Sequence, residues 1–510
     1  MTNSGFAHKH CCFGTFRAMK LGLAERSPRI PVTHNIAADD SQEFVDVASQ
    51  PETRGIELVG EDERHGRPRD LFPVWAATMV SVLNFTIGAS FTAVLGLELW
   101  QAALVILASS LLWIFPGVIA ISGPAAGTSG SVIQRAIYGF RGNKIVIAVY
   151  GWFISGVFLA LNWVASSFMG AELLTRMGVE DKTVGLVVVT IVVSAVTVLV
   201  AVYGHALILK AYTALTAVLL LIFLVVTGFI LPTVDWNFSQ PEPLHGVALW
   251  SSLSIAFAIL ASSPLSFSNS ADMARYLPRD SKASRIIAAT GLGGLIPCVF
   301  FTFVGALLGS VVAPEDLALG IEYALLDMLP AWLGPVFVIG VIVNTVALNG
   351  MTTYTASMAF QSIGVPIRRI PSAILIGVLG TAFTLYLVMS TSLIDAINLM
   401  LQFLLIISAP TMAVYVADIV LRRNRYDGLE LFDERPGAKF WYHGGFSLAG
   451  ISSVILGGAA TALFLSTDVW TGPLAVAIGY VDLSAPIGIL VSIVVYVLLA
   501  GRRVRAQVEA

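Results

Sequence analysis

The sequence predicts an all-α membrane protein with twelve transmembrane helices, and three observations carry that expectation. The chain is apolar almost throughout: 56% of its 510 residues are hydrophobic and 12% are charged, where soluble domains carry roughly 25% charged residues, and mean hydropathy is +0.83. Apolar residues fall in runs long enough for the ~20-residue helix that spans a bilayer core. Lys and Arg also sort by side. With twelve spans and a cytoplasmic N-terminus, every one of the 29 basic residues except Arg176 and Lys182 falls in a cytoplasmic segment, as the positive-inside rule requires.

Composition also narrows function. A net charge of −3 offers no basic surface for nucleic acid. Cys11, Cys12 and Cys298 make neither a disulfide framework nor a zinc-ligand spacing. The chain shows no phosphate-binding glycine loop and no nucleophile–base constellation, so neither an enzyme nor a cofactor is expected. The partners implied are a lipid bilayer and a small molecule, in the plasma (inner) membrane with both termini cytoplasmic. Neither a monomer nor a homo-oligomer is favoured.

Residues 1–70 are polar and of mixed charge, and read as a disordered cytoplasmic tail. No apolar run before Arg26 is long enough for a signal peptide, and either Met1 or Met19 could begin the chain. Spans are expected at 71–99, 101–121, 145–174, 184–203, 206–231, 247–277, 286–312, 331–363, 372–389 and 393–421. A charged cytoplasmic loop at 422–445 precedes two more, at 446–465 and 485–500, within a C-terminal segment 446–510.

Two spans carry polar interruptions. The sixth contains Ser262, Ser263, Pro264, Ser266, Ser268, Asn269 and Ser270 inside an apolar run. Ser and Asn compete for backbone hydrogen bonds, and Pro removes a donor. In hydrocarbon, irregular backbone survives only where it lines a cavity or packs in protein. This stretch therefore reads as a broken helix whose freed backbone faces a small polar ligand, or as a kinked helix packed through small residues. The first span carries a second interruption over Asn84, Phe85, Thr86, Gly88 and Ser90. If 71–231 and 247–421 are two five-span halves, each opens with an interrupted helix, and the odd span number inverts one half relative to the other. Broken helices so placed form substrate and ion sites near the bilayer midplane. That arrangement points to a secondary transporter more than to a channel, whose filters use repeated chains or charged rings.

Individual residues carry two readings each. Asp272 lies three residues before Arg275, as an ion pair closing the helix end or as a gate or proton acceptor. Trp152 and Asn162 sit deep in the third span, for packing or for ligand contact. Asn344, Thr345 and Asn349 lie mid-span in the eighth helix, and buried Asn also ties helices together. Asn344 and Asn349 are about 140° apart round a helix, so the two do not face one ligand together.

Several motifs resemble a known family. Pro124, Gly127, Gly130, Arg135, Tyr138-Gly139 and Gly142, followed by Gly151-Trp152-Phe153, resemble the second-to-third-span region of nucleobase–cation symporter family 1. Ala271-Asp272-Met273-Ala274-Arg275-Tyr276-Leu277-Pro278 is similar to the end of the sixth span in its purine/cytosine permease branch. Asn349 with Tyr354-Thr355, Pro410 with Ala417-Asp418, Arg422-Arg423 and Tyr426-Asp427, and Trp441 with Gly444 continue the match, from Phe72 to Gly445.

The resemblance implies a leucine-transporter-like fold of five plus five inverted helices with two extra C-terminal helices. It implies uptake of cytosine, a purine or a related heterocycle by cation symport with alternating access. An amino acid or vitamin-like cargo on the same fold is the alternative. On the resemblance, Trp152 stacks on the base, Phe85 in the first break contacts it, Ser262 and Ser263 match the sixth-span break, and Asn349 hydrogen-bonds the ring edge. Two departures stand out. Where relatives place a second aromatic in the sixth break this chain has Ser263 or Ser266, leaving Phe267 as the only aromatic nearby. The hydroxyls that precede the eighth-span asparagine at a Na⁺ site are here Ala347-Leu348, with Thr345 the nearest. Since a hard cation needs several oxygen ligands, the expected coupling ion is H⁺, with Na⁺ held by Thr345 and first-span carbonyls as the rival. Asn344, Thr345 and Asp272 are the residues expected to couple the ion or gate the path.

Overall fold

The computed structural model describes residues 55–313, 316, 321–390, 393–467 and 469–509. Among them, β pairing is confined to two isolated bridges, His443 with Phe446 and Ser466 with Thr471. Among the described residues, nine helices are long and apolar enough to cross a membrane, or ten when one bent pair is taken as a single span.

That pair is α1 (Leu71–Met79) and α2 (Val82–Ala93), bent by 56° where they meet. There follow α3 (Leu99–Ala126), α4 (Phe140–Arg176), α5 (Lys182–Tyr203) and α6 (His205–Thr233). Next come a short apolar helix α7 (Gly246–Ala261) and the five-residue α8 (Ser270–Ala274). Then come α9 (Ala283–Val311), α10 (Leu333–Ser362), α11 (Arg369–Ser390), α12 (Leu393–Leu421), the short apolar α13 (Leu448–Phe464) and α14 (Ser484–Glu509), with one short helix at Ile321–Asp327 and another at Pro473–Ala477. Leu104, Val192, Leu221 and Leu498 lie on the outside of the bundle and are mostly exposed, as lipid-facing side chains are.

Two glycine contacts set the spacing of α2 against α9. A Cβ on Gly88 would lie 1.8 Å from the Thr302 carbonyl oxygen, and one on Gly305 would lie 2.2 Å from that of Phe85. Small residues let membrane helices approach this closely, and Thr92 Oγ1 donates to the Ala306 carbonyl across the same seam at 2.8 Å. The polar and glycine content of 84–90 thus serves helix packing inside α2. This corrects the expected unwinding over these residues: the first-helix break lies at Val80-Ser81.

The disordered tail expected to residue 70 is also corrected for its last part, while residues 1–54 lie outside the described residues. Residues 55–66 form a strap bonded to the helix ends beside it. Val59 N–H donates to the Gly127 carbonyl and His65 N–H to that of Tyr276, both at 2.7 Å. Arg275 donates to the Gly55 carbonyl at 2.6 Å, Thr128 to that of Ile56 at 2.7 Å, and Arg64 to that of Pro124 at 2.5 Å. His65, Tyr276 and His205 gather their rings behind it, with His205 and Tyr276 centroids 4.4 Å apart.

At the end of α12, Asp418 is fully buried. It pairs with Arg422 at 2.8 Å and accepts hydrogen bonds from Tyr426 at 2.8 Å and Tyr496 at 2.7 Å. The remaining arginine protons reach the Ala136 carbonyl and Gln507, each at 3.0 Å. A buried pair stripped of partners is costly, and here the acceptors and donors are matched.

Candidate functional site

The first-helix break is short and self-contained. Val80 and Ser81 leave helical geometry. Ser81 Oγ then caps α2 by accepting from Leu83 N–H at 3.2 Å, the role for which Ser is favoured at a helix start. Asn84 Nδ2 reaches back to the Met79 carbonyl at 2.6 Å. Asn344, on α10, donates to the Ala77 carbonyl at 2.7 Å.

The sixth-helix break is longer. Between α7 and α8 the chain passes through a 3₁₀ turn at Pro264–Ser266 and then an irregular Phe267. Hydroxyls satisfy part of the freed backbone: Ser262 donates to the Ile259 carbonyl at 2.6 Å, Ser266 to that of Ser262 at 2.7 Å, and Ser270 to that of Pro116 at 2.7 Å. The Phe267 ring stacks on Trp113 at 5.3 Å and 25° and meets Trp75 edge-on at 5.3 Å. These three rings join α1, α3 and the break. Asp272 Oδ1 accepts from Gly130 N–H at 2.7 Å.

Two helices bring polar groups to the sixth break. From α4, Tyr150 donates to the Leu265 carbonyl at 3.3 Å. From α10, Thr355 accepts from Asn269 Nδ2 at 3.1 Å. Ser263, Phe267, Thr352 and Thr355 keep 7% exposure and Ser268 8%, although they lie inside the bundle. A cavity of about 730 Å³ lies at the loops, lined by Arg64, Arg279, Arg425, Asp427, Lys439 and Gln507.

The residues singled out from sequence are distributed as follows. Ser262, Ser263, Phe267 and Asp272 belong to the sixth-helix region. Phe85 lies within α2 and not in the break; its ring is fully buried between Phe223 at 5.5 Å and Phe301 at 5.8 Å. Trp152 packs on Phe360 at 5.4 Å and on a smaller core around Trp163 and Ile376. It stands in a π-helical stretch, Ile147–Phe153. Residues two apart point to nearly opposite sides of a helix, so a stretch that turns Tyr150 toward the break turns Trp152 away from it. Asn349 accepts from Asn162 at 3.1 Å and donates to the Leu159 carbonyl at 2.9 Å, which occupies both ends of its amide with α4. The Thr345 hydroxyl accepts from Ser166 at 2.5 Å.

Sequence reasoning passed over Tyr150, Asn269 and Thr355 as site residues. Asn269 and Thr355 were within motifs already noted, and their meeting across α8 and α10 is a tertiary fact. Nothing in the sequence marks Tyr150 ahead of Trp152.

A helical bundle with one bent helix pair, polar side chains converging on the irregular stretch between α7 and α8 and an apolar exterior is the build of a multi-pass membrane permease. The chain belongs to the family of permeases for cytosine/purines, uracil, thiamine and allantoin, whose model matches residues 58–488. It is 26% identical over 481 residues to the putative purine-cytosine permease YxlA of Bacillus subtilis, covering 89% of this chain and 97% of that protein. It is 23% identical over 459 residues to the purine-cytosine permease FCY2 of Saccharomyces cerevisiae, covering 84% and 81% of the two. Its fold is that of Mhp1, a nucleobase-cation-symport-1 family transporter solved in a closed conformation with bromovinylhydantoin bound. The TM-score is 0.68 at 17% identity over 90% of this chain and 96% of that one.

Proposed function

We propose that the protein imports a nucleobase — cytosine, a purine or a related heterocycle — by cation symport with alternating access. The observation that carries this reading is the sixth-helix interruption, where irregular backbone, hydroxyls and an amide meet α4 and α10. In this reading α1 with α2, α7 with α8, the short α13 and the nine long helices make twelve crossings. They form two inverted five-helix repeats at 71–231 and 247–421, followed by α13 and α14. Both termini are cytoplasmic, and the protein resides in the plasma membrane.

The cargo site lies between the two interruptions. Ser262, Ser263 and Phe267 line it from the sixth helix, and Asn349 stands behind it on α10. Phe85 and Trp152 act on it at one remove, through packing. Proton coupling is favoured over Na⁺. A Na⁺ ion would need oxygens at the end of α1 and on Thr345, but Asn344 bonds the Ala77 carbonyl, Asn84 that of Met79, and Ser166 the Thr345 hydroxyl. Asp272 is the buried carboxylate placed to carry the proton or to gate the path.

The family description also includes thiamine and allantoin, which supports a vitamin-like cargo as the second reading. Uptake of labelled cytosine, adenine, hypoxanthine and uracil by cells expressing the protein decides between them: accumulation of a base supports the first, and competition by thiamine alone supports the second. Replacing Na⁺ with choline at fixed pH leaves proton-coupled uptake intact, whereas a protonophore abolishes it.

A further inference from the structure

We propose that Asn269 reads the hydrogen-bonding edge of the transported ring, with Thr355 holding its amide for that contact; this rests on the transport reading above. Four amides stand at the two interruptions: Asn84, Asn269, Asn344 and Asn349. Asn349 has both ends engaged by α4. Asn84 and Asn344 are turned onto carbonyls of α1. Of these four, Asn269 alone has a buried oxygen, Oδ1, with no donor. Leaving such a group unmatched is unfavourable, and a ligand that supplies a donor removes the penalty.

The orientation of the amide follows from its neighbour. Nδ2 donates to the Thr355 hydroxyl at 3.1 Å, which leaves Oδ1 as the free end of the amide.

The geometry selects a chemical class. An unmatched acceptor at the break matches a neutral planar ring bearing an N–H, whether a ring nitrogen or an exocyclic amino group. It does not match a carboxylate, whose oxygens would oppose Oδ1. A site built around such a contact rejects the analogue that lacks the donor more strongly than an apolar pocket rejects a missing methylene.

The test uses whichever of cytosine, adenine, hypoxanthine or uracil the protein accumulates best, with its singly N-methylated derivatives as competitors. The native protein discriminates against at least one methylated derivative by at least about tenfold. Asn269→Ala raises KM for the parent base by about tenfold or more and brings the parent and that derivative within about threefold of each other. Thr355→Val shifts the same ratio part of the way, and Thr355→Ser restores it. Membrane abundance and melting temperature are measured for each variant. If Asn269→Ala does not fold, Asn269→Leu, which keeps the volume without the acceptor, is read in the same way. A folded Asn269 variant with unchanged KM and unchanged discrimination overturns this inference and leaves base transport standing. A native protein that moves none of the four bases overturns both.

Discussion

The first-helix interruption takes two residues and closes on itself, whereas the sixth-helix interruption takes eight and leaves an acceptor over. At the first, Ser81 caps the next helix, Asn84 bonds back to Met79 and Asn344 covers Ala77, all without help from a ligand. At the second, serine hydroxyls satisfy neighbouring carbonyls, but Asn269 keeps a buried, unmatched oxygen. One break is a joint in the structure. The other is where chemistry from outside the chain can be accommodated. Changes at the first should therefore move stability, and changes at the second should move affinity.

The strongest way to break this comparison is Gly88→Leu. Its side chain would drive into the Thr302 carbonyl, and overpacking of this kind costs about 3 kcal/mol or more, enough to lose most of the folded protein. A variant with native abundance and melting temperature would return 84–90 to the role of an unwound site. Next in size is a pH effect outside both interruptions. Asp482, between α13 and α14, is held by Ser466 and Ser484 N–H groups, yet burial pushes its pKa up to about 6. A carboxyl raised in the folded state binds its proton more readily there than when unfolded, so stability rises as pH falls from 7 toward 4. The effect amounts to about 2–3 kcal/mol. Asp482→Asn should flatten the melting temperature across that range while leaving KM for a base unchanged.

Asn84→Ala comes third. It leaves the Met79 carbonyl without its partner and should cost about 1–3 kcal/mol, with Ser81→Ala at about 1 kcal/mol through the lost cap. Both sharpen the comparison if KM stays constant, and a KM change as large as that of Asn269→Ala would erase it. The smallest effect is Tyr150→Phe, which removes one long hydrogen bond and should cost about 0.5 kcal/mol by thermal melting.

The helices were legible from apolar run length, and the sixth break from Pro264 among serines, because no lipid-facing helix carries such a sequence. The first break was not. In a membrane helix, glycine and hydroxyl residues mark close approach as readily as unwinding, and Gly88 and Ser90 belong to the former. The true break shows only Ser81, a cap whose meaning depends on the turn before it. Asp418 was similarly opaque: beside Arg422-Arg423 it reads as interfacial, and only the arrival of Tyr426 and Tyr496 makes full burial tolerable. Trp152 drew notice by its depth in the third span and by the family resemblance, but a π-helical stretch sets how its ring is turned relative to Tyr150, and sequence periodicity does not register it.

The strap at 55–66 has a mechanical consequence. Its five bonds land beside two elements distant in sequence, the end of α3 at Pro124–Thr128 and the segment after α8 at Arg275–Tyr276. Those ends cannot part by a few ångströms while the belt stays fastened. A fusion joined at Gly55 would load its buckle directly.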